Sequence, residues 1–425
     1  MSEKQMGPMY QSQPMKGLYL AKETLATTFV RAPLWALYAL PRTNRPRSSW
    51  PLRRVMIIKL IQHMISVVGK TGQWWHDPDH LAVEQGPNVK GIWISPAPDL
   101  VVGEVKQWAA DADLEPIQIP GYWLEKQGID LPANSPPRPG EKVIYSLHGG
   151  GFAACSAHPN DGTSNIPKGI LKHTSPHIVR AFTVEYRLLK HHSVKPYNPF
   201  PAALFDVIAG YNHLVNIVGF APEDIVVEGD SAGGNLGIAL IRYLIENQDH
   251  PITKIPRIPS ALVLCSPWVD LAPATQDPLA AVQYNIPSDY ICIAANGINS
   301  MITDYCGPLG PSATLTNRYI SPATFFSSTN VSFKGFPRTF ILSGGAEVML
   351  DSIRLLRQRM TKDMGANLVT YIEESLAVHD FLIHTWHEPE RTECLRLVAQ
   401  WIEELGPSTS ESHAHSQGYK LKSKL

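Results

Sequence analysis

The 425-residue chain carries 37 Lys and Arg residues against 38 Asp and Glu residues, and 44% of it is hydrophobic while 18% is charged. This composition fits a globular protein and excludes wholesale disorder. The formal net charge of -1 provides no overall positive field, so we expect no nucleic-acid partner. The length would suit two or three average domains, although α/β enzymes often form one long domain with insertions.

Cysteine usage and the spacing of polar residues argue against metal or redox chemistry. The chain has five widely spaced cysteines, Cys155, Cys265, Cys292, Cys306 and Cys394. They form no Cys-x-x-Cys pair, and we interpret them as reduced, buried thiols of an intracellular protein. No compact group of His, Asp and Glu has the spacing of metal ligands, so we expect neither a metal ion nor a cofactor.

Residues 1–90 are predicted to form a helical accessory region without visible chemistry. Its first 16 residues lack the pattern of a secretory signal. The apolar segments 24–40 and 55–68 are interrupted by polar residues, so neither reaches the 18 or so apolar residues of a membrane span. Polar residues share one face of segment 55–68, which favours a helix packed on the catalytic domain. Five arginines precede that segment, so an interfacial helix that contacts a membrane surface is the alternative.

From residue 91, short apolar segments alternate with helical ones. Strands are predicted over 91–95, 101–108, 116–124, 142–147, 178–186, 225–228, 261–265, 339–342 and 368–372, and helices over 201–218, 235–247, 352–364 and 393–405. This order predicts the α/β fold class, with a mostly parallel central sheet covered by helices on both faces over residues 91–405. The irregular stretch 272–337 is predicted to be an insertion that caps the site with the N-terminal helices. The tail 406–425 is predicted to be disordered.

A glycine-rich turn joins the strand over 225–228 to the helix that follows it. The pattern Gly229-Asp230-Ser231-Ala232-Gly233 is typical of a nucleophile elbow, in which glycines permit a strained turn that exposes the serine hydroxyl. Backbone N–H groups at the start of the helix would face an oxyanion formed at that serine. Ser231 is therefore the predicted nucleophile.

A second glycine-rich turn, His148-Gly149-Gly150-Gly151-Phe152, follows the strand over 142–147. Successive glycines permit backbone N–H groups to face one point without interference from a Cβ atom. An oxyanion hole requires such an arrangement, so this turn is the predicted source of its donors.

A serine hydroxyl needs a general base to become a nucleophile, and three histidines follow the later strands. His379 comes after the last strand and a short loop, which should place it at the same sheet edge as Ser231. His384 and His387 fall in a polar stretch and are assigned surface roles. His379 is the predicted base.

The base needs a carboxylate to orient it. Glu347 lies just past the strand over 339–342 and is the preferred acid. Asp351, whose alternative role is at the start of the next helix, is the second candidate, and Asp270 is the third.

Six motifs resemble those of the hormone-sensitive-lipase-like branch of the α/β-hydrolases: His148-Gly-Gly-Gly-Phe152, Tyr186-Arg187-Leu188, Phe200-Pro201-Ala202-Ala203, Gly229-Asp-Ser-Ala-Gly-Gly234, Ser266-Pro-Trp-Val-Asp270 and His379-x-Phe381. The resemblance covers about residues 91–405. It implies the α/β-hydrolase fold with a helical cap, Ser231 as nucleophile and His379 as base. It also implies an oxyanion hole made by the N–H groups of Gly149, Gly150, Gly151 and Ala232.

The chain departs from the family at two places. The family commonly has Asp where this chain has Glu347. Relatives usually have Ala-Pro-Glu-His where this chain has Leu189-Lys190-His191-His192, which implies a specialised loop beside the pocket.

Residues Ser423-Lys424-Leu425 match a peroxisomal address read by an import receptor. We therefore expect a peroxisomal location. Residues 89–96 and the arginine-rich N-terminal region resemble fungal esterases. Together with the terminal tripeptide they resemble the peroxisomal hydrolases of AK/ACT-type host-selective toxin biosynthesis.

These features indicate a serine hydrolase that cleaves a small-molecule carboxylic ester, or an acyl thioester, of an apolar or polyketide-like acid in fungal secondary metabolism such as toxin biosynthesis. An acyltransferase or cyclase that uses the same acyl-enzyme is an alternative, because the outcome depends on how well water is excluded. A non-catalytic ligand-binding protein on the same fold is another alternative, although a complete set of catalytic residues is present.

Overall fold

A computed structural model describes residues 10–190, 197–291, 296–326 and 331–406. Within these residues the strands are β1 (Lys90–Ile94), β2 (Ile119–Glu125), β3 (Val143–Leu147), β4 (Arg180–Val184), β5 (Ile225–Asp230), β6 (Ala261–Cys265), β7 (Arg338–Gly344) and β8 (Val369–Glu374). The α-helices are α1 (Met15–Ala26), α2 (Ala32–Ala39), α3 (Leu52–Thr71), α4 (Gly103–Asp111), α5 (Asn165–His173), α6 (Ala202–Asn212), α7 (Ser231–Glu246), α8 (Ala281–Tyr284), α9 (Asn296–Cys306), α10 (Ala313–Thr316), α11 (Leu350–Met364) and α12 (Glu390–Glu403). A π-helical turn, Thr27–Arg31, joins α1 to α2, and another, His213–Val218, continues α6.

The strands form one eight-stranded sheet in the order β1-β2-β4-β3-β5-β6-β7-β8. The β1–β2 and β2–β4 pairs are antiparallel, and all other pairs are parallel. Side chains alternate across the sheet, so Val143, Tyr145 and Leu147 of β3 pack in the layer that contains α6, α7 and α11. Ile144 packs in the opposite layer, with α5, α12 and part of α3. The predicted α/β fold class and its mostly parallel, doubly covered sheet are confirmed.

The register of the central strands gathers several loops at one sheet edge. Leu147 pairs with Gly229, and Asp230 pairs with Cys265, so β3, β5 and β6 end at the same level. The loops that follow the carboxyl ends of parallel strands are where ligands bind in such sheets.

The strand predicted over 101–108 is wrong, because α4 occupies this segment. Val105 and Ala109 are buried and lie four residues apart, which is a helical spacing. The residues between and beside them include strong helix formers such as Glu104, Lys106 and Gln107. A short apolar run of this kind fits either a strand or a helix.

The N-terminal helices pack on the sheet domain through α3 and the residues just before it. Trp50 Nε1 donates a hydrogen bond to the Leu376 carbonyl at 3.0 Å, and the buried Arg54 pairs with Glu390 at 2.8 Å. No helix among the described residues is long and apolar enough to cross a membrane. Several residues singled out from the sequence lie outside the described ranges: His191, His192, Cys292, Ser423, Lys424 and Leu425.

Candidate active site

The turn between β5 and α7 holds Ser231 in a strained backbone conformation. Ser231 is the first residue of α7 and has a backbone φ of +49°. This value lies in the left-handed region, which residues other than glycine rarely adopt. A Cβ atom on Gly229 would overlap the Gly233 carbonyl, and one on Gly233 would overlap the Leu147 carbonyl. The two glycines of the Gly-x-Ser-x-Gly pattern are therefore required by close backbone contacts, as expected for a nucleophile elbow.

Ser231, His379 and Glu347 form a hydrogen-bonded chain at the carboxyl edge of the sheet. His379 Nε2 lies 3.1 Å from Ser231 Oγ, and His379 Nδ1 lies 2.8 Å from Glu347 Oε2. Glu347 Oε1 accepts hydrogen bonds from the Gly344 N–H at 2.7 Å and from the Ser266 hydroxyl at 3.2 Å. Because the side chains of His379 and Glu347 are fully buried, the carboxylate is fixed in position and can hold the ring in one orientation.

The two alternative acids lie elsewhere. Asp351 Oδ2 accepts the Ala281 N–H at 2.7 Å, and Asp270 Oδ1 accepts the Ala272 N–H at 3.1 Å. Both line a cavity of about 1180 Å³ between α11 and the segment after β6. None of Ser231, Glu347 and His379 lines this cavity, so it is separate from the hydrogen-bonded chain.

The surface role predicted for His387 is wrong. The side chain of His387 is fully buried, with its Nδ1 atom 3.5 Å from Glu390 Oε2. The sequence around it is polar, but Glu390 begins α12 and its carboxylate also binds Arg54, which places this segment beneath the N-terminal helices.

The glycine turn after β3 has one of its three expected donors engaged elsewhere. The Gly149 N–H donates a hydrogen bond to Asp230 Oδ1 at 3.0 Å, so the assignment of Gly149 to the oxyanion hole is wrong. Gly150 and Gly151 have φ values of +103° and +62°, and their N–H groups have no acceptor among the described residues. Ala232 is the second residue of α7, where helical N–H groups have no partner within the helix.

Two buried carboxylates that the sequence did not single out contact His379. Asp380 Oδ2 lies 3.0 Å from His379 Nε2, and Asp380 has a left-handed φ of +44°. Asp289 Oδ1 accepts the His379 N–H at 3.3 Å, and its Oδ2 accepts the Val348 N–H at 2.8 Å. Asp380 is the variable position of the His379-x-Phe381 pattern, whereas Asp289 lies in the irregular stretch 272–337 and no motif marks it.

The carboxylates of Asp380 and Glu347 favour the charged form of His379. Burial lowers the pKa of His379, but the neighbouring carboxylates of Asp380 and Glu347 outweigh burial and raise this pKa well above its ordinary value. Burial raises the pKa of Asp230 well above its ordinary value, and the nearby carboxylates of Asp380 and Glu228 raise it further. The site is therefore built to stabilise a positive charge on the imidazole.

Comparisons with known proteins find a matching fold family and similar esterases. A family model described as alpha/beta hydrolase fold matches residues 144–383. The chain is 30% identical over 276 residues to the esterase LipU of Mycobacterium tuberculosis, an alignment that covers 64% of this chain and 80% of that protein. It is 27% identical over 281 residues to the carboxylesterase/phospholipase LipF of the same organism, which covers 65% of this chain and 66% of that protein.

A solved structure of an esterase from the bacterial hormone-sensitive lipase family superimposes with a TM-score of 0.56. The superposition covers 84% of this chain and 99% of that chain at 19% identity, so it supports the fold.

Proposed function

The chain belongs to the α/β hydrolase fold family and is a serine ester hydrolase, and from this premise we propose that Ser231, His379 and Glu347 perform its chemistry. The observation that carries this proposal is the continuous hydrogen-bonded chain from Ser231 Oγ through His379 to Glu347. It begins on a strained elbow and ends on a carboxylate held by two further donors.

In the proposed reaction, Ser231 Oγ attacks the ester carbonyl carbon while His379 Nε2 takes the hydroxyl proton. The carbonyl oxygen becomes an oxyanion, which the N–H groups of Gly150, Gly151 and Ala232 stabilise. The C–O bond to the alcohol then breaks, and His379 returns the proton to the leaving oxygen. Water attacks the acyl-enzyme by the same steps in the second half, which releases the acid and restores Ser231.

We propose that the acyl group is apolar or polyketide-like, and that it is carried as an ester or an acyl thioester. Aromatic side chains surround the glycine turn: the Phe152 ring stacks on Tyr305 at 4.0 Å and on Trp268 at 5.8 Å. Met301 of α9 lies beside Gly151. LipF, which is named a carboxylesterase/phospholipase, supports a carboxylic ester as the substrate. We also propose that the N-terminal helices contact a membrane surface, from which an apolar ester could be drawn.

We propose a role in fungal secondary metabolism, such as toxin biosynthesis. This proposal is based on the resemblance of residues 89–96 and of the arginine-rich N-terminal region to fungal esterases. Replacing Ser231 in the native host should cause the substrate ester to accumulate, and metabolite profiling would identify it. An unchanged metabolite profile would count against this role.

We propose peroxisomal import through Ser423-Lys424-Leu425, provided that Leu425 carries a free carboxyl group. A fluorescent fusion should give punctate staining that becomes diffuse when these three residues are deleted. Punctate staining that survives the deletion would contradict the proposal.

The central test is Ser231→Ala measured with short p-nitrophenyl esters. We expect hydrolysis and labelling by a fluorophosphonate probe to be lost, while Ser95→Ala, a change of an exposed serine, should leave both unchanged. Hydrolysis that survives Ser231→Ala would overturn the assignment. Adding an alcohol acceptor distinguishes hydrolysis from acyl transfer, because a transferase would form the new ester in preference to the free acid.

A further inference from the structure

The segment formed by α1, the π-helical turn and α2 exposes many large apolar side chains. It runs without a break over residues 15–39, a length of about 37 Å. Six of its apolar residues are between 58% and 72% exposed: Leu18, Leu25, Phe29, Leu34, Leu37 and Tyr38. We call these six residues the N-terminal apolar face. Large contiguous apolar patches of this kind mark interaction sites in soluble proteins.

The opposite side of this region is firmly attached to the rest of the protein, so the exposure does not come from a poorly packed helix. Thr27 Oγ1 lies 3.0 Å from His63 Nε2 of α3, and the same nitrogen lies 3.4 Å from the carboxylate of the buried Glu23 of α1. The helix α3 is in turn anchored to the catalytic domain by Arg54, whose side chain is 6% exposed. The N-terminal apolar face therefore points away from a fixed base.

Basic residues accompany the apolar ones, although the whole chain has a net charge of only -1. Residues 15–71 contain one acidic residue, Glu23, which is buried. The same residues contain ten basic ones: Lys16, Lys22, Arg31, Arg42, Arg45, Arg47, Arg53, Arg54, Lys59 and Lys70. Several of these, such as Arg54, are bound inside the protein, but Lys22, Arg42, Arg53 and Lys70 are exposed.

The exposed charges and the apolar side chains share helical faces. Lys22 lies four residues after Leu18 and three before Leu25, so all three lie on one side of α1. On α3, Arg53 precedes the exposed Leu60 by seven residues and the exposed Met64 by eleven, which are spacings of one helical face.

We propose that the N-terminal apolar face docks in the plane of a bilayer that contains anionic phospholipids. Apolar side chains would enter the boundary between headgroups and acyl chains, and Lys22, Arg42 and Arg53 would contact the negative headgroups. Charge also argues against pairing with a second copy of the chain, because two such faces of the same sign would repel each other. This inference specifies the partner in the proposed membrane contact, and it is independent of the hydrolytic mechanism.

Docking in this way would bring the catalytic edge of the sheet close to the lipid. Gln62 of α3 donates hydrogen bonds to the Ile286 carbonyl at 3.1 Å and to the Asp289 carbonyl at 2.7 Å. The Asp289 carboxylate accepts the His379 N–H. Asp289 therefore contacts both α3 and the proposed catalytic base. An apolar ester dissolved in the bilayer would then have a short route to Ser231.

The test is vesicle flotation with the full chain carrying Ser231→Ala, so that no lipid ester is hydrolysed. The chain should float with vesicles of phosphatidylcholine and phosphatidylserine, and much less with phosphatidylcholine alone. Lys22→Glu and Arg53→Glu should each weaken vesicle binding about fivefold or more. Added salt should also weaken vesicle binding, because it screens the charges. Phe29→Asp combined with Leu37→Asp should abolish flotation.

A matched control is Ile252→Asp, since Ile252 is a 90% exposed apolar residue in the loop that precedes β6, at the other end of the sheet. This variant should float like the parent chain. Equal binding to both kinds of vesicle, or an equal loss in the Ile252→Asp variant, would overturn the proposal. So would absence of flotation together with concentration-dependent dimers in sedimentation velocity, since these would assign the face to a second copy. Because the assay needs no catalysis, its failure leaves the proposed hydrolysis untouched.

Discussion

Asp380 Oδ2 lies 3.0 Å from His379 Nε2, and the same nitrogen lies 3.1 Å from Ser231 Oγ. One nitrogen cannot donate a proton to Asp380 and accept one from Ser231 at the same time. When the imidazole is protonated, its Nε2–H faces the Asp380 carboxylate, which stabilises the charged ring. Burial lowers the pKa of His379, but Asp380 and then Glu347 raise it well above the ordinary value overall.

The first prediction concerns the pH dependence of kcat/KM. Only neutral His379 can act as a base, so activity should fall as the pH drops through the raised pKa of His379. Asp380→Asn removes the carboxylate charge, so this pKa should decrease and the acid limb should move to lower pH by about one to three units. Asn is among the residues that best tolerate the left-handed φ of +44° at this position.

The matched control for this pH profile is Asp249→Asn, which removes an exposed carboxylate on the loop after α7. Its acid limb should coincide with that of the native chain. An acid limb that stays in place in Asp380→Asn would show that Asp380 does not set the pKa of the base.

The second prediction separates the candidate acids. Glu347→Gln keeps the shape of the side chain but removes the charge that orients and stabilises the imidazolium, so kcat should fall by up to about 10⁴-fold. Asp351→Asn should change kcat little, because Asp351 binds the Ala281 N–H and an amide oxygen can accept that bond equally well. Steady-state kinetics of both variants make the comparison. A larger loss for Asp351→Asn would reverse the assignment.

Local motifs made most of the site predictable. Ser231 could be identified because the glycines, the strand and the helix that build its turn are contiguous in the sequence. Glu347 and His379 could be identified because each follows a recognisable strand, and parallel strands in one sheet end at the same edge. For these three residues, the position relative to a predicted strand was sufficient to identify them as candidates.

Residues whose roles depend on contacts across the fold could not be predicted in the same way. The Gly149 N–H is bound by Asp230 from the adjacent strand β5, and this contact depends on a strand register that the glycine motif does not contain. Asp289 lies in a stretch without periodicity and reaches His379 over 90 positions of sequence. The segment 101–108 contains a short apolar run, and periodicity alone does not distinguish a strand from a helix in such a run.

The third prediction concerns the packing of the elbow. Gly233→Ala would place a methyl group onto the Leu147 carbonyl oxygen, where rigid backbone on both sides leaves no room to move. The free energy of unfolding should decrease by about 3 kcal/mol or more. Gly237→Ala, one turn along the same helix, is the control, because its new methyl group would have side chains as its nearest neighbours, those of Leu262, Val227 and Leu147 at 3.3, 3.4 and 4.0 Å.

Urea unfolding of both variants measures this difference. The gain in helix propensity of Gly237→Ala, about 1 kcal/mol, should roughly offset its tighter packing and leave its stability close to that of the native chain. Equal midpoints for Gly233→Ala and Gly237→Ala would contradict the close backbone approach at the elbow.

The last prediction assigns a positioning role to Asp289. Its carboxylate accepts the N–H groups of His379 and Tyr290 through Oδ1, at 3.3 and 2.8 Å, and of Val348 through Oδ2 at 2.8 Å. It therefore ties the loop that carries the base to the segment next to Glu347. In Asp289→Asn the amide nitrogen must face at least one of these donors, so one buried N–H loses its acceptor.

The free energy of unfolding of Asp289→Asn should decrease by about 1–3 kcal/mol, and kcat/KM should fall at a pH where the native chain is fully active. Asp277→Asn is the control, because Asp277 also accepts a backbone N–H, that of Leu279 at 2.9 Å, but does so in an exposed loop. Its stability and activity should both be unchanged. If Asp289→Asn loses stability but keeps native kcat/KM below its unfolding transition, then Asp289 supports the fold without positioning His379.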